Sequence, residues 1–235
     1  MKMGIISAGI GERLVRGGIT IPKPLIPVRG KPLIARVIEA GVQLNVNSIA
    51  CIVNDLDPSV AAFLRSRRWP VPVEIVVKTT PSSMESLFCL APLLSEEPFV
   101  LFTVDVVCAR RIVGDFLQKA LTLTGSKGVL ALTGFVDDEK PLWAAVNGSN
   151  RIIALGDAAR GGEFVTAGFY YFTPCIFAEI APARRKKLSA LRQFLGHLLD
   201  EGYPMHGVPV PKTIDVDYPE DIEKAEAYLK EINEQ

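Results

Sequence analysis

The chain reads as an α/β protein: a three-layer sandwich of helices around a mostly parallel mixed sheet, with a small antiparallel insertion. Three observations predict it. Through residues 1–135, short apolar runs bounded by turn residues alternate with helix-period stretches, the order that a parallel sheet with crossover helices imposes. Past Pro141 the strand candidates instead follow one another around an Asn-Gly turn, as antiparallel hairpins do. At 235 residues, 49% hydrophobic and 22% charged, the chain is long enough for one sizeable core.

Strands are expected at 3–6, 48–53, 73–77 and 99–104, with helices at 33–43, 58–67 and 84–94 between them. Asp57-Pro58 is a helix start, with aspartate as cap and proline just inside. Arg65, Arg67 and Arg68 close that helix, where they complement its dipole. A helix at 110–121 leads to a strand at 128–133. The hairpin 142–146 and 151–155 turns at Asn147-Gly148, and a strand follows at 163–172. Leu191, Phe194, Leu195 and Leu198 then mark an amphipathic helix ending before Gly202. No internal repeat is visible. The expected organisation is one domain, with a mostly parallel part (1–135), a part of antiparallel character (136–217) and a closing helix (218–235).

Charge and cysteine content exclude several classes. Lysine plus arginine equals aspartate plus glutamate at 26 each, so no global field favours nucleic acid or an anionic membrane. Cys51, Cys89, Cys108 and Cys175 show no CxxC spacing, which fits reduced core thiols better than disulfides or zinc. No signal peptide and no bilayer-length apolar stretch is present, so a soluble, cytoplasmic protein is expected. The sequence leaves room for a homo-oligomer.

The stretch from Ile5 to Pro32, IISAGIGERLVRGGITIPKPLIPVRGKP, is the most informative in the chain. An apolar strand runs into a glycine-rich bend, where Gly9 and Gly11 are expected to take positive φ and bring bare N–H groups to an anion. Arg13 and Lys23 supply positive charge. A dinucleotide fingerprint would need a third glycine and an immediate helix, and no helix is expected after this loop. A Walker-type loop would need Gly-Lys-Ser/Thr, which is absent.

The segment resembles the signature of the nucleotidyltransferase family that makes nucleotide-activated sugars and polar head groups, the sugar-1-phosphate (NDP-sugar pyrophosphorylase-like) single-domain NTP transferases. Ala8-Gly9-x-Gly11-x-Arg13-Leu14, a variable insert and Pro22-Lys23-Pro24-Leu25-x-Pro27-Val28-x-Gly30-Lys31-Pro32 carry the likeness over about thirty residues. It implies a Rossmann-like, GT-A-like fold. It also implies nucleotidyl transfer from a nucleoside triphosphate to a phosphate acceptor, a sugar 1-phosphate above all, with pyrophosphate released and Mg2+ as cofactor. Arg13 and Lys23 would be catalytic, with Ala8, Gly9 and Gly11 on the nucleotide.

Two carboxylates fit a metal role. Asp105 follows the apolar run 99–104, and in open parallel sheets ligands gather at the carboxyl ends of strands. Its position matches the family's metal-binding aspartate. Thr213-Ile214-Asp215-Val216-Asp217 looks like the family's closing motif, and strand alternation puts Asp215 and Asp217 on one side. Asp217-Tyr218-Pro219-Glu220 has the form of a helix cap, which leaves Asp215 as the expected second ligand. Two carboxylates completed by phosphate oxygens and water suit magnesium.

The turn Lys78–Leu87 matches the family's base and ribose contacts, making Thr79, Ser83 and Ser86 nucleotide candidates, while Ser82 and Glu85 read as a capping box. On the acceptor side the chain departs from sugar-specific relatives. Their Glu-Lys-Pro becomes Leu155-Gly156-Asp157, and their Asn-x-Gly-x-Tyr becomes Thr166-Ala167-Gly168-Phe169-Tyr170. Glu163, Thr166, Gly168 and Trp143 are the acceptor candidates. This departure keeps phosphocholine or a polyol phosphate open as acceptor. A non-catalytic nucleotide-binding module is the alternative of another class, and guanylyl transfer to a molybdenum cofactor fits the Pro-Lys-Pro segment less well. His197, off its helix's apolar stripe, and His206, in a turn, have no nucleophile partner by spacing. Arg184-Arg185-Lys186-Lys187 reads as a solvated helix start.

Overall fold

Strands made of near-continuous apolar runs must be covered on both faces, and β4 (Ile49–Val53), buried at all five positions, shows this at the centre of the molecule. The computed structural model describes residues 1–137 and 139–234. Around β4 the chain runs β1 (Lys2–Ser7), α1 (Glu12–Arg16), β2 (Pro27–Val28), β3 (Lys31–Pro32), α2 (Leu33–Gln43), then after β4 α3 (Pro58–Ser66), β5 (Val73–Val77), α4 (Ser83–Leu94), β6 (Phe99–Thr103), β7 (Val106–Cys108), α5 (Arg110–Thr122) and β8 (Gly128–Thr133). The remainder is β9 (Trp143–Val146), β10 (Ile152–Leu155), β11 (Phe164–Phe172), α6 (Ile180–Arg185), α7 (Leu191–Asp200), β12 (Met205–Pro209), β13 (Thr213–Asp215) and α8 (Pro219–Glu231).

Among the described residues the main sheet has nine strands, in the order β10-β9-β11-β6-β1-β4-β5, with β8 pairing β11 and β12. β6, β1, β4 and β5 are parallel. β11 is the hinge between two regimes: its end, Phe169–Phe172, runs antiparallel to β6, while its start pairs with β9. Side chains from α2, α3, α5 and α8 fill one face, and those from α4 and α7 the other. The expected three-layer α/β sandwich is therefore the fold, and the antiparallel block falls past β8 as its turn chemistry predicts.

Local expectations fared unevenly. Asp57 caps α3, its Oδ1 accepting from the Ser59 N–H at 2.7 Å, and the Arg67 guanidinium lies 4.3 Å from the Phe63 ring centroid. A five-residue helix, α1, does follow the glycine loop, contrary to expectation. Leu14 anchors it in the core, and Gly17 ends it with its N–H on the Arg13 carbonyl at 3.0 Å. His197 is buried, not off the core face, with Nε2 2.8 Å from Glu179. His206 lies in β12 rather than a turn. Cys175 is exposed and so is no core thiol. The basic run sits at the end of α6, not at a helix start. Arg184 forks onto Glu85 at 3.0 and 2.7 Å, and Lys186 reaches Glu201 at 2.7 Å. Glu85 therefore does not close the expected capping box, although Ser82 Oγ does accept the Glu85 N–H at 3.2 Å.

Candidate active site

The phosphate-loop candidate leaves the carboxyl end of β1. Ala8 is buried, and Gly9 is exposed with open space where a Cβ would stand. Only Gly11 takes the left-handed conformation, at φ 69°; Gly9 does not, which corrects the expectation for the pair. Gly11 is needed for a second reason. A Cβ there would come within 3.1 Å of the Lys23 Cβ, so glycine lets the loop lie directly on the lysine. Lys23 opens a 3-10 turn, Lys23–Leu25, between Pro22 and the buried Pro24, and the two fixed proline φ angles hold its backbone in place.

Lys23 reaches two carboxylates. Its Nζ donates to Asp105 Oδ2 at 2.6 Å and to Asp217 Oδ1 at 2.7 Å, while Arg13 Nη1 donates to Asp217 Oδ2 at 2.8 Å. Residues far apart in sequence thus form one chain of charge, Arg13–Asp217–Lys23–Asp105. The Lys23 side chain is only 9% exposed. Burial works against its ammonium, but the Asp105 and Asp217 carboxylates outweigh that and hold its pKa above the ordinary lysine value. Burial likewise opposes the Asp105 carboxylate, yet the Lys23 ammonium beside it keeps it below the ordinary aspartate range.

The backbone explains how these carboxylates meet. Asp105 sits between β6 and β7, and β7 pairs antiparallel with β13, placing Asp215 opposite Val106. The Val216 N–H then donates to the Asp105 carbonyl at 3.1 Å, bringing Asp217 alongside. The capping role expected for Asp217 is corrected: Tyr218 is the N-cap of α8, and the Asp221 carboxylate accepts the N–H groups of Asp217 and Tyr218 at 3.1 and 2.8 Å. A carboxylate one turn inside the helix satisfies those donors, so the Asp217 side chain is left for Arg13 and Lys23. Asp105 does not cap α5, whose N-cap is Ala109. Tyr218 adds a further link, its ring centroid 5.3 Å from the Arg13 guanidinium and its hydroxyl donating to Glu139 at 2.6 Å.

Beside these carboxylates opens a cavity of about 230 Å³. Asp105, Asp215 and Asp217 line one side; Thr166, Gly168 and Tyr170 of β11 line another, with Ser83 and Arg192 at the first turns of α4 and α7. Gly168 stands at φ 78°, where the register of β11 against β8 shifts. Ser83 Oγ accepts the Leu191 N–H at 3.3 Å. The other candidates are not in the cavity wall. Thr79 hydrogen-bonds Asp55, buried Ser86 meets Thr80 Oγ1 at 2.6 Å, Glu163 is exposed, and Trp143 lies on β9. Sequence reading passed over Thr103, Tyr218 and Asp221, each of which lines the cavity. The Asp-x-Asp alternation was the available signal for Asp217, and a helix-cap pattern obscured it.

Asp105 and Asp217 offer only oxygen donors, the set that magnesium takes, and they already converge on a single positive charge. Among the described residues no group of three or more His, Cys, Asp or Glu side chains is gathered for a metal ion. A hard cation here would therefore complete its shell with phosphate oxygens and water, and the donor set fits that use. Among the described residues no helix is long and apolar enough to cross a membrane.

Comparison with known proteins bears on the family and the fold. The chain is 26% identical over 194 residues to a mannose-1-phosphate guanyltransferase of Hypocrea jecorina, covering 77% of this chain and 51% of that protein. It is 31% identical over 193 residues to the Gibberella zeae protein of the same name, again covering 77% and 51%. The chain thus spans about half the length of the curated relatives it matches. Among solved structures, the inositol-1-phosphate CTP transferase from T. maritima superposes with a TM-score of 0.83 at 18% identity, covering 98% of this chain and 96% of that one. A putative glucose-1-phosphate thymidylyltransferase from Bacillus anthracis gives 0.84 at 19%, covering 100% and 98%. Both show the fold. The model of the MobA-like NTP transferase domain matches residues 4–198, and the chain belongs to that family.

Proposed function

We propose that the protein transfers a nucleotidyl group from a nucleoside triphosphate to a phosphorylated acceptor, a sugar 1-phosphate first among them, and releases pyrophosphate. The observation that carries this reading is the convergence of Arg13 and Lys23 on Asp105 and Asp217 beside the cavity. An oxygen of the acceptor phosphate attacks the α-phosphorus in line, and the bond from that phosphorus to the bridging oxygen of the leaving pyrophosphate breaks. Such a transfer calls for positioning and charge neutralisation rather than a covalent enzyme intermediate. The amides around Gly9 and Gly11 cradle the triphosphate, Arg13 takes the departing phosphates, and Lys23 bridges the α-phosphate and the acceptor phosphate. Asp105 and Asp217 would hold magnesium, with Asp215 on the same wall; a bound magnesium supplies charge neutralisation for the transferring and leaving groups.

Residues 1–135 serve the nucleotide and 136–217 the acceptor, with Thr166, Gly168 and Tyr170 on the acceptor wall and Ser83 at its junction with the nucleotide side. The mannose-1-phosphate guanyltransferases among the relatives favour a sugar 1-phosphate. A cytoplasmic setting suits a protein that draws on triphosphates and magnesium. The test is pyrophosphate release with magnesium, each common triphosphate, and a panel of sugar 1-phosphates, polyol phosphates and phosphocholine. Acceptor-dependent release with a sugar 1-phosphate supports the reading. Release with phosphocholine alone reassigns the acceptor, and nucleotide binding without release on any acceptor identifies a non-catalytic module.

A further inference from the structure

The two cations that a triphosphate needs are held by the two carboxylates that a metal needs. Asp217 divides its oxygens between them, Oδ1 accepting from Lys23 at 2.7 Å and Oδ2 from Arg13 at 2.8 Å, and Asp105 takes a second Lys23 proton at 2.6 Å. A cation that captures Asp217 must therefore loosen both pairs at once. We infer that Asp217, assisted by Asp105, masks Lys23 and Arg13, so that a divalent cation and a triphosphate bind as coupled ligands, each opening the site for the other. This rests on the nucleotidyl-transfer reading and adds to it a contact that holds the unliganded site closed.

The argument is one of charge balance in a half-buried place. The side chains of Lys23, Asp105 and Asp217 are 9%, 23% and 31% exposed, so none is freely compensated by water. A triphosphate arriving alone draws the ammonium and guanidinium away and leaves two adjacent carboxylates facing each other and the phosphates. A divalent cation arriving alone meets two positive side chains already seated on its ligands. Together the newcomers replace each ion pair by another: metal on carboxylate, phosphate on lysine and arginine. A ligand shifts an equilibrium only by its differential affinity for the two arrangements, and the coupling is reciprocal. Tyr218 extends the switch, because its ring lies against Arg13 and its hydroxyl holds Glu139 of the cavity wall at 2.6 Å.

The experiment is calorimetric titration of the whole protein with inorganic tripolyphosphate, a probe that carries no base, in EDTA and in magnesium. In EDTA, Asp217→Asn is expected to bind it about tenfold tighter than wild type, and magnesium is expected to improve its affinity less. Asp105→Asn, which removes one of the two Lys23 pairs and leaves Arg13 on Asp217, is expected to gain less; it carries the test if Asp217→Asn does not fold. Asp137→Asn is the charge control, since Asp137 lines the same cavity but pairs with Lys224 at 2.9 Å. It is expected to change affinity by less than about twofold. Equal gains from Asp137→Asn and Asp217→Asn would reduce the effect to general charge and overturn the inference. So would wild-type binding in magnesium with no metal-free gain in either variant, which leaves the transfer reading standing. Absence of binding by every protein under both conditions would remove both.

Discussion

The two ends of the sheet hold their polar groups in different ways. At the parallel end, beyond β1 and β6, the candidate catalytic groups are charged and locked by one another, in the chain Arg13–Asp217–Lys23–Asp105. At the antiparallel end, the β11 wall is lined by neutral residues fixed through the backbone. The Thr166 N–H donates to the Leu142 carbonyl at 3.0 Å, and Thr103 Oγ1 donates to the Gly168 carbonyl at 3.2 Å. The first arrangement suits a reaction whose demand is charge, and the second a pocket whose demand is shape. On the proposed reading, reaction type and acceptor choice sit in separable parts of the molecule.

Breaking the charged end carries the largest expected effect. Lys23→Ala lowers turnover by about two orders of magnitude or more, measured as pyrophosphate release, while circular dichroism shows the fold retained. Near-normal turnover would remove Lys23 from the mechanism. Between the two ends stands Gly168, where a Cβ would come within 3.0 Å of Thr103 Oγ1 and 3.1 Å of Val106 Cγ2 at φ 78°. Gly168→Ala therefore costs about 2 kcal/mol of stability, read in urea unfolding. At the neutral end, Thr166→Val raises the acceptor KM about tenfold, the loss of roughly one buried hydrogen bond, and leaves the triphosphate KM unchanged. Glu163→Ala, at an exposed residue outside the cavity wall, changes either constant by less than about twofold.

A smaller effect concerns acid stability away from both ends. Burial, with some help from Arg151, lowers the His206 pKa below its ordinary 6.5. As pH falls through 6.5 the unfolded chain takes the proton first, so stability is complete above that value and declines below it. His206→Gln flattens this part of the melting-temperature profile. An unchanged acid slope would show that His206 does not contribute to it.

The contrast also explains what the sequence disclosed. The longer strands and helices of the parallel part were legible because they are defined locally, by an apolar run or an Asp57-Pro58 start, and the phosphate loop is contiguous; the five-residue α1 within it was not. Asp105 was legible for the same reason, at the end of an apolar strand. Asp217 was misread because two local signals competed for it: Asp-Tyr-Pro-Glu has the form of a helix cap, yet Asp221 satisfies the N–H groups concerned. The pairing of β13 with β7, which brings Asp217 to Lys23, is a contact between residues about a hundred positions apart, and no periodicity reports it. Trp143 and Glu163 lie outside the cavity wall although their neighbours Leu142 and Val165 line it, Val165 being paired with Trp143 in the sheet. Strand alternation gives the face a side chain occupies; it does not give the point along the strand at which a pocket opens.

The most direct test follows the oxygen atoms. With the acceptor phosphate labelled with heavy oxygen, attack on the α-phosphorus predicts that all label remains in the nucleotide-activated product, one labelled atom bridging the two phosphorus atoms, with unlabelled pyrophosphate. Label in the pyrophosphate, or acceptor consumed without pyrophosphate release, would contradict the account.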